Sequence, residues 1–130
     1  MSEDPFFLSV DLVNELHAEG LAEHGGADGI GDPGGLESAV NAPENVFSYE
    51  GGDLFEIAAA YAFHIAEAQA YDDGNKRAAV SAALIFLDGN GVNVEAADPM
   101  SLYVHMISIS SGELDRPGLA TKMHELFAGQ

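Results

Sequence analysis

The sequence predicts an all-α fold, a bundle of five or six helices that forms a single domain over residues 1–130. Three observations support this prediction. Apolar residues recur at helical spacing along most of the chain, capping residues precede those segments, and the alternating pattern typical of β-strands is almost missing. With 130 residues, 47% of them hydrophobic, the chain is long and apolar enough to bury one core.

The first helix is predicted to begin after a cap at Ser9 and to end near His24, where two glycines follow. Its apolar stripe consists of Val10, Val13, Leu16 and Leu21. A glycine-rich stretch from Gly25 to Gly35 comes next. We expect it to connect two helices, because it is too short for a linker between domains.

A short second helix is predicted from Asp32, which caps it, to about Asn41. Residues 43–52, which begin with a proline, are expected to form a loop. Three apolar side chains of that loop are expected to be exposed, namely Val46, Phe47 and Tyr49.

Two strongly apolar segments, residues 53–70 and 75–88, predict a central pair of helices. The first of them is apolar nearly all round, as in a buried helix, and a polar turn over residues 71–74 separates the two. A brief extended piece, Val92–Val94, follows the pair. Two further helices are predicted from Asp98 to about Ser111 and from Arg116 to near Ala128.

Charge sets this chain apart. Four basic residues against 22 acidic ones give a formal net charge of −18. So acidic a surface repels nucleic acid and anionic lipid, which argues against both as direct partners. Two explanations remain open, adaptation to high salt and pairing with a basic partner protein.

The composition also argues against several classes of protein. Cysteine is absent, which excludes disulfides, thiol nucleophiles and cysteine-ligated metals. No run reaches the 18 or so apolar residues of a membrane span, and the first residues lack the basic region of a signal peptide. A cytoplasmic protein is therefore expected.

The turn between the central helices carries the residues suited to chemistry. Gly74 permits a tight bend and a close approach to a ligand, and the helix that follows presents unpaired N–H groups that attract anions. Lys76 and Arg77 add positive charge, Asp73 could hold a divalent metal, and Asn75 could bond phosphate or backbone. The alternative is an ordinary helix start that Asp73 caps, with both cations in solvent, although basic residues there oppose the helix dipole.

Several segments resemble Doc-type proteins of the Fic/Doc superfamily. They are Gly29–Ala39, Asp53–Tyr61, the run Asp73-Gly74-Asn75-Lys76-Arg77, Ala83–Leu87 and Asn90-Gly91. These segments occur in the family's order and spacing, and the resemblance extends over roughly residues 8 to 127.

The resemblance implies a Fic-type helical core that uses ATP and Mg²⁺. Fic proteins transfer AMP to protein hydroxyls, whereas Doc toxins, which carry lysine at the position of Lys76, phosphorylate elongation factor Tu. An antitoxin of the Phd type would neutralise such a toxin. Because this chain is so acidic, we expect its antitoxin to be basic. Val46, Phe47 and Tyr49 are candidate contacts for it, and the alternative is that these three side chains cover the core.

The resemblance also assigns roles to individual residues of this chain. Catalysis falls to Gln69, Asn75 and Lys76, the metal to Asp73, and an aromatic anchor to Tyr71. The nucleotide phosphates fall to Gly74, Asn75, Lys76, Arg77 and Ser81. Serine stands at position 81 where Doc proteins carry asparagine.

Gln69 departs from the family in a way that matters, since the family has its general-base histidine at this position. An amide cannot accept a proton near neutral pH, and loss of a general base costs about 10²–10⁴-fold in rate. His64 lies on a different face of its helix, while His105 and His124 could approach from elsewhere. Three hypotheses follow: an active or weakly active toxin, an inactive relative that still binds nucleotide or antitoxin, and a purely structural helical domain.

Overall fold

Six helices make up the regular structure of this chain in a computed structural model that describes residues 4–95 and 97–128. In chain order they are α1 (Val10–His24), α2 (Pro33–Glu50), α3 (Leu54–Ala68), α4 (Asn75–Gly89), α5 (Pro99–Ser110) and α6 (Arg116–Phe127). No strand occurs within the described residues, and residues 92–94 form no β-bridge with any of them. The prediction of an all-α bundle of five or six helices is confirmed.

Side-chain caps determine where most of the helices begin. Five of the six start after a residue whose side chain accepts a hydrogen bond from an N–H group of the first turn, a contact worth about 1 kcal/mol. These caps are Ser9, Asp32, Asp53, Asp98 and Asp115. The helix without a side-chain cap is α4, whose N-cap residue is Gly74.

Helix α2 is longer than predicted, and the predicted loop over residues 43–52 is wrong. The prediction relied on Pro43, since proline lacks the N–H that bonds to the carbonyl four residues earlier. The helix nevertheless continues to Glu50, because a stripe of buried side chains at helical spacing packs into the core. The stripe consists of Leu36, Ala39, Val40, Pro43 and Val46.

Only one of the three apolar residues predicted to be exposed on that loop is exposed. Val46 is buried, and Phe47 packs against Phe7 with ring centroids 5.9 Å apart. Tyr49 is 85% exposed. Val46 is therefore part of the core, and the half-buried Phe47 packs against it.

Helices α3 and α4 form the centre of the bundle, as predicted. Helix α3 packs against α2, α4 and α6, and its six residues from Ile57 to Ala62 are all buried. Alanines on both helices allow their axes to approach closely. The buried hydroxyl of Tyr61 accepts a hydrogen bond from the Leu8 N–H at 2.8 Å, which ties the segment before α1 to this centre.

A single antiparallel bridge between Ile30 and Tyr71 joins the segment before α2 to the turn after α3. The Gly31 N–H donates to the Ala70 carbonyl at 2.8 Å, and the Asp72 N–H donates to the Gly29 carbonyl at 3.0 Å. This bridge holds the glycine-rich segment against the predicted site. None of the helices, over the residues described, has the length and apolar character to span a bilayer.

Candidate phosphate-binding site

The turn from α3 to α4 has left-handed backbone at both ends. Gln69 ends α3 with φ 46°, and among the described residues it is the one non-glycine residue at positive φ. Gly74 begins α4 with φ 78°. A side chain in this conformation costs on the order of 1 kcal/mol. Glycine is thus suited to position 74, whereas the surrounding structure must hold Gln69 in its strained geometry.

Asn75 holds the turn closed. Its Oδ1 accepts a hydrogen bond from the Tyr71 N–H at 3.1 Å, and its Nδ2 donates to the Tyr71 carbonyl at 3.0 Å. Of the two partners expected for this amide, phosphate or backbone, the structure therefore shows backbone. Asn75 shapes the loop from within.

Helix α1 fastens the loop from the other side. The His17 ring stacks on Tyr71 with centroids 3.6 Å apart and planes within 7° of parallel. His17 Nε2 lies 2.7 Å from the Asp73 carbonyl oxygen. The Tyr71 hydroxyl donates to Asn14 Oδ1 at 2.6 Å, and burial raises the pKa of Tyr71 to about 12, so the hydroxyl keeps its proton. Tyr71 thus joins the loop to α1 through its ring and its hydroxyl group.

Sequence reasoning missed His17. The residue lies four positions after Val13 and four before Leu21, in the middle of the apolar stripe of α1. It is 5% exposed, and it is the only polar or charged residue that is buried within the described part of the chain. A polar residue at a core position of an amphipathic helix was the available signal.

The glycine-rich segment lies directly against the two aspartates of the loop. A Cβ on Gly26 would lie 2.7 Å from Asp73 Oδ2, and one on Gly29 would collide with the Asp72 carboxylate. Small residues in this segment therefore let both carboxylates lie close to its backbone.

Two of the four basic residues form ion pairs. Arg116 contacts Glu50 at 3.2 Å, and Lys122 lies 3.9 Å from Glu125. Neither Lys76 nor Arg77 forms an ion pair within residues 4–95 and 97–128. In a chain with 22 acidic residues, this leaves the two adjacent cations of α4 available to an anion.

Lys76 and Arg77 line a cavity of about 300 Å³ beside Gly74. Gln69, Asp72 and Asp73 also line it, and α5 contributes residues on the far side. Both cations are half-buried. The Arg77 Nη2 donates to the Gly25 carbonyl at 3.1 Å, which orients that side chain across the loop. The first turn of α4, which no side chain caps, thus borders a concave surface.

Two sets of predicted residues lie elsewhere. Ser81 does not line this cavity but a neighbouring groove between α1, α4 and α5. His64, His105 and His124 also lie outside the cavity wall. Burial, with Arg116 nearby, lowers the pKa of His64. The described residues place no histidine at this cavity as a substitute for Gln69.

The oxygen atoms around the cavity fit a magnesium ion that a nucleotide brings with it. Asp72 and Asp73 offer carboxylates, and Gln69 offers an amide oxygen. Mg²⁺ commonly binds one or two carboxylates and completes its shell with water and substrate phosphates. Within the described residues no cluster of three or more histidine or acidic side chains forms a ready-made protein cage. Bound there, the ion would neutralise phosphate charge beside Asp73.

Alanine in place of Gly74 is expected to lower the stability of the protein by about 1 kcal/mol, because φ is 78° and the new Cβ would lie 3.4 Å from the His17 ring. Thermal unfolding should show a midpoint about 3–6 °C lower. Gly89→Ala is the matched control, since nothing lies within 4 Å of its Cβ position. Equal midpoints for the two variants would contradict the strained geometry at residue 74.

The helical bundle and the cationic turn between its central helices together define the class to which this chain belongs. It is a member of the Fic/DOC family, whose family model matches residues 7–87. Those residues span α1 to α3, the whole loop and most of α4. The chain is also 33% identical over 121 residues to the protein kinase doc of Escherichia phage P1. The matched region covers 92% of this chain and 94% of that protein. The resemblance read from the sequence is confirmed.

Proposed function

We propose that this protein is a Doc-like toxin, which transfers phosphate, or AMP, from ATP to a hydroxyl group of a protein such as elongation factor Tu. One observation supports this function above the others. Lys76 and Arg77, which form no ion pair within the described part of this very acidic chain, lie together beside a cavity at a helix start without a side-chain cap. Membership of the Fic/DOC family, and similarity to a protein named as a kinase, supply the reaction class.

The proposed site would bind the phosphates of ATP with several groups at once. The free N–H groups of the first turn of α4 and the positive end of its dipole favour an anion. Lys76 and Arg77 add charge-assisted hydrogen bonds, which are stronger than neutral ones. Asp72 and Asp73 would repel bare phosphate, and we infer that magnesium at Asp73 offsets this repulsion.

Gln69 determines how fast such a site could work. Its side chain lines the cavity and could orient a substrate hydroxyl by a hydrogen bond. It cannot remove the proton of that hydroxyl near neutral pH. The proposed transfer is therefore slow in this chain, since water or a phosphate oxygen of ATP must accept the proton of the attacking hydroxyl.

A second candidate function is a catalytically inactive binding protein that keeps nucleotide or antitoxin binding. Gln69 favours it, together with the positions of His64, His105 and His124 outside the cavity wall. The toxin enzyme and the nucleotide-binding form of this candidate share the phosphate site and differ in turnover, whereas the antitoxin-binding form does not require that site.

A transfer assay separates the two candidates. The chain is incubated with Mg²⁺, elongation factor Tu and ATP labelled at either the α- or the γ-phosphate. Label from γ alone on the protein substrate indicates phosphate transfer, and label from α indicates AMP transfer. Absence of both, with ATP still raising the thermal midpoint of the chain, supports the binding protein. Absence of transfer and of any ATP effect contradicts the toxin enzyme and the nucleotide-binding protein, and leaves only antitoxin binding.

We also propose that a basic antitoxin segment binds as a helix in the groove between α1, α4 and α5. The groove has a volume of about 650 Å³, and Leu16, Leu84 and Ile85 contribute apolar surface to it. Its rim is acidic, with Glu19, Glu23 and Asp98. An amphipathic helix with lysine or arginine along its edges complements both features.

Exposed apolar residues on α5 extend this groove. Met100 lines it, and Val104 and Ile107 follow on the same exposed face at the spacing of successive helical turns. All three are more than half exposed. Such a stripe at the edge of a groove fits a helical partner better than solvent. We therefore propose this groove as the antitoxin site in place of the surface expected at Val46, Phe47 and Tyr49.

Glutamate in place of Ile85 is expected to weaken antitoxin binding about tenfold, since it places a charge in the apolar contact. Calorimetric titration with a basic antitoxin of the Phd type measures the effect. Tyr49→Glu is the matched control, because Tyr49 is an exposed apolar residue on α2 outside the groove. An equal loss of affinity in both variants, or a loss in Tyr49→Glu alone, would contradict the groove.

A further inference from the structure

We infer that His17 is a positioning residue of the phosphate loop: it fixes the peptide between Asp73 and Gly74 so that Asp73 and the start of α4 face the cavity. The inference rests on the proposed function in one respect, that nucleotide is the ligand of this loop. It concerns a residue of α1, more than 50 positions away in the sequence.

The hydrogen bond from His17 fixes the direction of the peptide plane between Asp73 and Gly74. The Asp73 carbonyl can only accept a hydrogen bond, so the His17 Nε2 that lies 2.7 Å from it must carry the proton. In a planar trans peptide the N–H points opposite to the carbonyl. The Gly74 N–H therefore points away from α1 and donates to Asp73 Oδ1 at 2.8 Å. A single bond from α1 thus sets the peptide and, through it, the carboxylate.

The His17 ring contacts three successive parts of the loop. It stacks on Tyr71, its Nε2 bonds to Asp73, and a Cβ at residue 74 would lie 3.4 Å from two of its atoms. Tyr71 is in turn bonded through both of its backbone groups to Asn75. The ring therefore connects the buried side of α1 to the first residue of α4.

A merely space-filling role does not explain this choice of residue. A buried polar group costs free energy unless it is hydrogen-bonded, and an apolar side chain would fill the same volume without that cost. His17 makes the bond to Asp73 but is not among the residues that line the cavity. It acts on a ligand only through the loop, so it is a positioning residue and not a catalytic one.

Two variants separate the bond from the ring. His17→Phe keeps an aromatic ring to stack on Tyr71 but loses the donor, whereas His17→Gln keeps a donor at the reach of Nε2 but loses the ring. In titrations of the full chain with Mg²⁺ and ATP, we expect His17→Phe to weaken binding about tenfold and His17→Gln to recover part of that loss. The thermal midpoint should fall further in His17→Gln than in His17→Phe, because His17→Gln loses the ring that stacks on Tyr71 and contributes to stability.

Hydrogen exchange of the nucleotide-free protein provides a readout that does not depend on ATP. The amides of residues 73–75 should exchange about tenfold faster in His17→Phe than in the wild type, while those of α6 stay unchanged. His105→Phe, a half-buried histidine away from the loop, should leave the loop amides as they are. Unchanged exchange at residues 73–75 in His17→Phe would overturn the inference. It would also be overturned if the variant with the lower ATP affinity were the one with the lower thermal midpoint. Were the wild type to bind no ATP, the proposed function would fail, and the exchange comparison would decide the role of His17.

Discussion

Replacing Gln69 with histidine is expected to raise the rate of phosphate or AMP transfer about 10²–10⁴-fold. An imidazole accepts a proton near neutral pH, which the amide of Gln69 cannot do. The position suits the change, because histidine adopts the left-handed backbone more readily than most residues and φ is 46° here. Lys76 and Asp73 line the same cavity as Gln69. Single-turnover transfer from labelled ATP to elongation factor Tu measures the gain.

Gln69→Asn is the control for this experiment. Asparagine also tolerates positive φ, but its amide supplies no base. Its transfer rate should therefore stay at the level of the wild type. A histidine variant that binds ATP normally and yet gains no activity would show that more than the general base is missing from this site.

Removal of the Lys76 side chain is expected to weaken ATP binding about 10–100-fold, the usual range for a hydrogen bond to a charged group. Lys76 forms no ion pair within the described residues and lines the cavity, so its alanine variant removes charge without leaving a buried partner unpaired. Calorimetric titration with ATP and Mg²⁺ measures the loss. The folded state should be little affected, because within the described residues the Lys76 side chain makes no hydrogen bond comparable to that of Arg77 with the Gly25 carbonyl.

Lys122→Ala supplies the matched control for Lys76→Ala. Lys122 is exposed on α6 and lies 3.9 Å from Glu125. Both variants lower the positive charge of the chain by one, so an effect of overall charge would appear in both. Equal losses of ATP affinity would contradict a specific role for Lys76.

Local signals in the sequence predicted most of the fold, because caps and apolar stripes act over a few residues. Ser9, Asp32 and Asp53 mark helix starts within the sequence itself. The end of α2 was not predictable in this way. Pro43 is a local signal for a helix break, and it is outweighed by burial against other helices, which the sequence does not show.

The sequence predicted the loop residues but not what holds them. Asp73, Gly74 and Lys76 are consecutive or nearly so, and a short motif brings them together by itself. The contact between His17 and Asp73 joins positions 56 residues apart, so it depends on how α1 packs against α4. Ser81, which the family resemblance assigned to the phosphate site, lies in the neighbouring groove, and its place likewise depends on how the helices pack.

The central claim, that the start of α4 receives phosphates, is tested most directly by nuclear magnetic resonance of the ¹⁵N-labelled chain during titration with ATP and Mg²⁺. We expect the largest chemical-shift changes at the backbone amides of residues 74–77, with smaller changes at His17 and Gly26. Saturating shifts confined to α5 and α6, or no shifts at millimolar ATP, would contradict this claim.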